Sequence, residues 1–149
     1  MTCTQELRHK HHDLWHRMVT HPFIMEMGDG TLPVAKFRAY FLQDYVFVHD
    51  LVCMTSMGLA KAPTFLAANL LHQFLAGILN PENDLFVRAF TELGVSEEGY
   101  AAASASPVTQ AFGDFMVRTG LEGRFEDIIT ILYVTEGTYL DWGTRLLEA

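Results

Sequence analysis

The chain has 149 residues, 50% of them apolar, with 11 Phe, 7 Met and 5 Tyr, and a formal net charge of −8. That length fits a single domain able to bury roughly 70% of the surface its unfolded chain exposes, so no disulfide staple is needed. The acidic balance, with no basic stripe, excludes holding a nucleic-acid backbone by general electrostatics, and the two cysteines, Cys3 and Cys53, fit reduced thiols in a reducing compartment.

The N-terminal run MTCTQELRHKHHDLW has no apolar core of a secretory signal. Helical periodicity predicts a first helix over residues 5–20. A short segment, HPFIMEM, follows and stops at the turn cluster Gly28-Asp29-Gly30. Pro33, at a position tolerated in a first turn, opens a long helix that runs to about Lys61, and Pro63 punctuates its end. The strongly apolar FLAANLLHQFLAGIL predicts a helix closed by Asn80-Pro81, and another covers 82–93 before Gly94. Ser96 caps a short helix through Glu97 and Glu98. Ser106-Pro107 caps a helix reaching Thr119, closed by Gly120, and a last helix starts near Gly123. No alternating run is bounded by hairpin turns. The expected architecture is an all-α helical bundle, one domain over 1–149. Its longest apolar stretches break before the ~20 residues a membrane span needs, so a cytoplasmic protein without membrane contact is expected.

Residues at i, i+3, i+4 and i+7 share a helix face. In the long helix one face reads Phe37, Tyr40, Asp44, Phe47, Val48, Leu51. In the last helix a comparable face reads Phe125, Ile128, Ile129, Leu132, Glu136, Tyr139, Leu140, Gly143. Each stripe is interrupted by one carboxylate. Burying an ionised carboxylate without partners is costly, and apolar surroundings raise its pKa towards values useful for acid/base work. Aromatic walls with a few polar groups suit a flat heterocyclic ligand. The alternative is structural: each acid bonds a tyrosine or backbone group, or lies at the edge of its stripe.

Other candidates are weaker. Glu6 with His9, and Asp13 with His16, have the carboxylate-x-x-His spacing of metal bundles, but such motifs come from facing helices and here share one. A solvated polar face is the ordinary reading, and no metal is expected. His49 and Asp50 are adjacent and do not face each other on a helix, which argues against a dyad. His72, inside LLHQFL, reads as a core histidine, and Cys53 as a small core residue roughly opposite Asp44. There is no glycine-rich phosphate loop, zinc spacing or nucleophile elbow.

The stretch HPFIMEMGDGTLPVAKFRAYFLQDYVFV resembles the TenA/thiaminase II family, with its His-Pro-Phe element, Gly-Asp-Gly-Thr-Leu turn and Gln-Asp-Tyr segment in order. LGVSEE, SPVTQAFGDFMVRT and ILYVTEGTYLDWG resemble later helices of the same family, so the likeness covers nearly the whole chain. The resemblance implies a haem-oxygenase-like all-α fold without haem or other cofactor, usually assembled as a homo-oligomer, a dimer or tetramer. It implies a small-molecule aminopyrimidine substrate, hydrolysed in thiamin salvage or degradation. By position, Asp44 resembles the aspartate that bonds the aminopyrimidine, Phe47 an aromatic wall residue and Tyr139 a pocket tyrosine. Phe112 stands where the thiaminase II branch commonly has a tyrosine.

Two departures bear on mechanism. The family's nucleophilic cysteine is matched here by Thr135, a far weaker nucleophile without a dedicated base. Glu136, next to it, resembles the glutamate of the cysteine-lacking TenA_E type, which makes Glu136 the candidate catalytic residue, with Asp44, Phe47, Phe112, Thr135 and Tyr139 binding substrate. Family members are also about half as long again, and a catalytic glutamate comes from their later helices. The expected function is therefore an aminopyrimidine aminohydrolase that lacks the last helices. Its alternative is a shortened, inactive member that binds a pyrimidine or acts through its oligomer surface. A haem-oxygenase-like metal oxidase, motivated by the first-helix histidines, is a third reading.

Overall fold

Thr64, Ser96 and Ser106 each accept a hydrogen bond from the backbone N–H three residues on, at 3.1, 3.1 and 3.2 Å, and each opens a helix. A computed structural model describes residues 2–148, the side chain of Pro81 excepted. Its helices are α1 (Cys3–Lys10), α2 (His12–Val19), α3 (Pro22–Gly28), α4 (Val34–Ala60), α5 (Phe65–Gly77), α6 (Asn83–Glu92), α7 (Glu97–Ala101), α8 (Pro107–Glu122) and α9 (Phe125–Glu148). No strand occurs among the described residues, in agreement with the all-α expectation. No helix among them is long and apolar enough to cross a membrane.

Two turns need glycine. Gly30 and Gly94 have φ of +69° and +67°, where a side chain would be strained. Each follows a helix in a Schellman arrangement: Thr31 N–H donates to Glu26 O at 2.9 Å, and Val95 N–H to Phe90 O at 2.9 Å.

Contacts divide the chain into two units, and the division falls inside α9. One unit joins the segment ending at Pro33 to the segment beginning at Thr130; the other is Val34–Ile129. The second unit is held by α4 against α8. Met54 and Met116 are fully buried there, and Phe41, Tyr45, Phe86, Phe90 and Tyr100 form a cluster of tilted and stacked rings. In the first unit Arg8 from α1 and Trp15 from α2 both bond the Asp141 carboxylate of α9, the indole N–H at 2.9 Å. The Arg8 guanidinium also sits 5.0 Å from the Trp15 ring centre. Arg145 donates to the Val19 carbonyl at the end of α2, meeting an acceptor that the helix leaves open.

Four sequence expectations are corrected. The predicted helix over 5–20 is two helices, broken at His11. Asn80-Pro81 does not close α5: a π-turn, Ile78–Glu82, carries the chain straight into α6, and the Asn80 amide donates to the Ala76 carbonyl at 2.8 Å. The wider π-turn accommodates a proline that has no N–H to give an α-helical bond. Gly120 does not stop α8, which runs on to Glu122. The Lys61 ammonium instead caps that end, donating to the carbonyls of Gly120, Leu121 and Gly123 at 2.6, 2.9 and 2.7 Å. Finally, His72 is exposed, not a core residue, because α5 turns it outward together with Gln73.

Glu82, half-buried where the π-turn meets α6, has its carboxyl pushed above the ordinary value of 4.5 by burial. Desolvation there outweighs any help from the α6 N-terminus. The folded state therefore prefers the protonated acid, and stability falls as pH rises through its folded pKa. Glu82→Gln is expected to raise Tm near pH 7 and to leave it unchanged near pH 4, a comparison that thermal melts at the two pH values check directly.

Candidate functional site

Helix α4 holds the first half of the candidate residues. Asp44 and Phe47 are half-buried, and Leu51 below them is buried. The Phe47 ring lies nearly parallel to that of Phe112 on α8, 10° between planes and 5.5 Å between centres. The pair extends to Phe115, 6.5 Å beyond Phe112.

Gln43, beside Asp44, fixes this geometry. Its amide oxygen accepts from Ser106 N–H and from the Thr109 hydroxyl, both at 2.7 Å, and its Nε2 donates to Ser104 O at 3.0 Å. Three bonds from one side chain tie the start of α8 to α4, and with it the register of Phe112 against Phe47. In the sequence Gln43 stands only as part of the Gln-Asp-Tyr segment. The signal available was its place on α4 one residue from Asp44, with the cap Ser106 needing a partner for its own N–H.

The second half lies on α9. Thr135 is 6% exposed, and its hydroxyl donates to Leu132 O at 3.2 Å. Thr138, 2% exposed, bonds Val134 O and Thr135 O. These threonines spend their hydroxyls on their own helix. Glu136 is half-buried. Tyr139 and Leu140 are 36% and 73% exposed, so the stripe predicted on this helix is buried only as far as Leu132. The Tyr139 ring lies 5.2 Å from Trp142. Asp44 and Glu136 both engage neighbouring groups, so neither carboxylate stands without a partner. Asp44, Phe47 and Phe112 thus belong to one unit, and Thr135, Glu136 and Tyr139 to the other.

A cavity of about 530 Å³ opens in the second unit, lined by Tyr45, Val48, Asp50, Ile78, Phe86 and Tyr100 among others. None of the six candidate residues lines it. It lies along the Tyr45–Val48–Val52 face of α4. The histidines of α1 and α2 are exposed, and His21 caps α3, its Nδ1 accepting from Phe23 N–H at 3.2 Å. Among the described residues no group of three or more His, Cys, Asp or Glu is arranged to hold a metal ion. His49 Nδ1 approaches Asp50 Oδ1 to 3.5 Å, closer than adjacent helix positions predict.

The described residues are all-α and share the haem-oxygenase-like fold of the TenA type. The chain belongs to the TENA/THI-4/PQQC family, whose model matches residues 8–148. It is 31% identical over 149 residues to the aminopyrimidine aminohydrolase of Bacillus subtilis (strain 168), covering 99% of this chain and 63% of that protein. The protein of the same name from Halalkalibacterium halodurans is 27% identical over 146 residues, with 98% and 65% covered. A solved TenA homologue from P. horikoshii OT3 superposes with a TM-score of 0.90 at 26% identity, covering 98% of this chain and 68% of that one. The chain thus spans just under two thirds of the length of the curated relatives it matches.

Proposed function

We propose that this chain is a C–N hydrolase of thiamin salvage or degradation, converting an amino- or formylaminomethyl-pyrimidine to the hydroxymethyl-pyrimidine. The observation that carries the reading is the pair Thr135 and Glu136. Thr135 is buried with its hydroxyl donated to Leu132 O, a poor nucleophile, while Glu136 keeps partial contact with solvent. Chemistry by an activated water suits that pair better than covalent catalysis. The name shared by the two bacterial relatives supports the same substrate class.

In this reading Asp44 accepts the N–H donors of the aminopyrimidine, Phe47 and Phe112 offer ring faces, and Thr135 and Tyr139 contact the substrate. Glu136 takes a proton from water as its oxygen bonds the exocyclic carbon. The C–N bond breaks, and the proton passes to the leaving nitrogen. No cofactor is required. Self-association as a dimer or tetramer belongs to the same reading, and Phe65 and Leu66 on α5, 96% and 69% exposed, support it. So does a cytoplasmic setting, where salvage of a vitamin fragment operates.

The experiment is to incubate the folded protein with aminomethyl- and formylaminomethyl-pyrimidine and follow release of hydroxymethyl-pyrimidine. Release is the expected result, and no turnover of either compound overturns the proposal. Calorimetric binding without turnover points instead to a member that only binds its pyrimidine.

A further inference from the structure

The cavity along α4, the π-turn, α6 and α7 carries chemistry that the hydrolase reading does not use. Its walls are aromatic and aliphatic: Tyr45, Val48, Val52, Ile78, Phe86 and Tyr100. Tyr45 stands edge-on to Phe86 and to Tyr100, with ring centres 5.4 and 5.5 Å away. At about 530 Å³ it falls in the range that holds a ligand of one or two rings.

The Tyr45 and Tyr100 hydroxyls and the Asp50 carboxylate, all in this lining, make no hydrogen bond among the described residues. Burial, then Glu97 and Tyr45 nearby, push the Tyr100 phenol above its usual value, so it stays a neutral donor and acceptor. Asp50 is the shielded acid here, with its side chain 27% exposed against 81% for His49. Among the described residues its one ion-pair partner is the His49 imidazole, at 3.5 Å. The glycine at 113 lets α8 close over this acid, because a Cβ there would overlap the Asp50 carboxylate. A shielded carboxylate lacking a hydrogen bond gains most from a cationic donor, and aromatic walls favour a flat body and a cation at once.

We propose that this cavity is a small-molecule site for a flat aromatic primary amine, its rings held by Tyr45, Phe86 and Tyr100 and its ammonium group by Asp50. Neither Asp44 nor Glu136 lines this cavity, so the proposal stands whether or not the chain hydrolyses a pyrimidine.

The probe is tryptamine, with indole as the analogue lacking the amine, titrated by calorimetry and by amide shifts of Ala101, Ala103 and Ala105. Tryptamine is expected to bind the native protein roughly tenfold or more tightly than indole, because one charged hydrogen bond separates them. Asp50→Asn keeps the shape and is expected to bring tryptamine down to the level of indole while leaving indole unchanged. Ala103→Phe, which fills the cavity, is expected to remove both. Equal affinity of the native protein for the two compounds overturns the proposal, as do shifts centred away from the cavity. The native-protein ratio decides the matter even where a variant fails to fold.

Discussion

Glu136→Gln is expected to lower kcat on an aminopyrimidine by roughly a hundred- to ten-thousandfold, the range of a lost general acid–base. That corresponds to about 2.7 to 5.4 kcal/mol of barrier. Glutamine keeps the size and half-buried setting of Glu136, yet it can neither take a proton from water nor deliver one to the departing nitrogen. KM should change little, since an interaction used only in the transition state affects kcat and kcat/KM alike. Thr135→Val makes the complementary test. Its hydroxyl donates to Leu132 O within the helix and is not the reacting group, so removing it should leave kcat within a few-fold, any lost substrate contact appearing in KM. The reverse pattern, a silent Glu136→Gln and an inactive Thr135→Val in samples with native melting curves, would transfer the chemistry to the threonine.

Much of this arrangement is legible in the residues. Pro33 and Pro63 locate α4 almost to the residue, and Ser96 and Ser106 mark their helices because a side-chain oxygen must meet the orphan N–H groups of a first turn. The misreadings share one cause, which is that local signals were overruled by partners distant in sequence. Gly120 looks like a helix stop until Lys61, 59 residues away, caps the carbonyls beyond it. Pro81 looks like a stop until the π-turn absorbs it. Nothing in RHKHH announces the break at His11. Arg8 and Trp15 stand on either side of it, and both converge on Asp141, across separations of 133 and 126 residues. Seven positions on an unbroken helix lie about 10.5 Å apart along its axis, a long span for one carboxylate to bridge. The candidate site divides the same way. Asp44 and Glu136 stand out by charge against an apolar stripe, whereas the Gln43 clamp and the cavity beside Asp50 exist only once α8 is packed on α4.

That packing yields the last expected result. Gly120→Val should lower stability by about 3 kcal/mol, the upper end of ordinary overpacking. At roughly 2–4 °C per kcal/mol for a chain of this size, Tm should fall by about 10 °C. A Cβ at Gly120 would lie 2.8 Å from Met57 Sδ and 3.2 Å from the Cα of Met54. The thioether can swing aside, but Met54 is fully buried and its Cα moves only if α4 moves. Gly113 and Gly120, two turns apart with Met116 between and all three buried, make a flat strip on which α4 rests. Helix propensity opposes the loss, because glycine costs about 1 kcal/mol inside a helix. Gly77 isolates that opposing effect. It sits in α5 with helical φ and ψ of −62° and −50°, and nothing lies within 4 Å of a Cβ built there. Gly77→Ala should therefore stabilise by up to about 1 kcal/mol. Opposite signs at the two positions, read from denaturant or thermal melts, attribute the glycine at 120 to close helix contact. Equal and small effects would mean that α4 and α8 tolerate separation there, and that the strip does not set their distance.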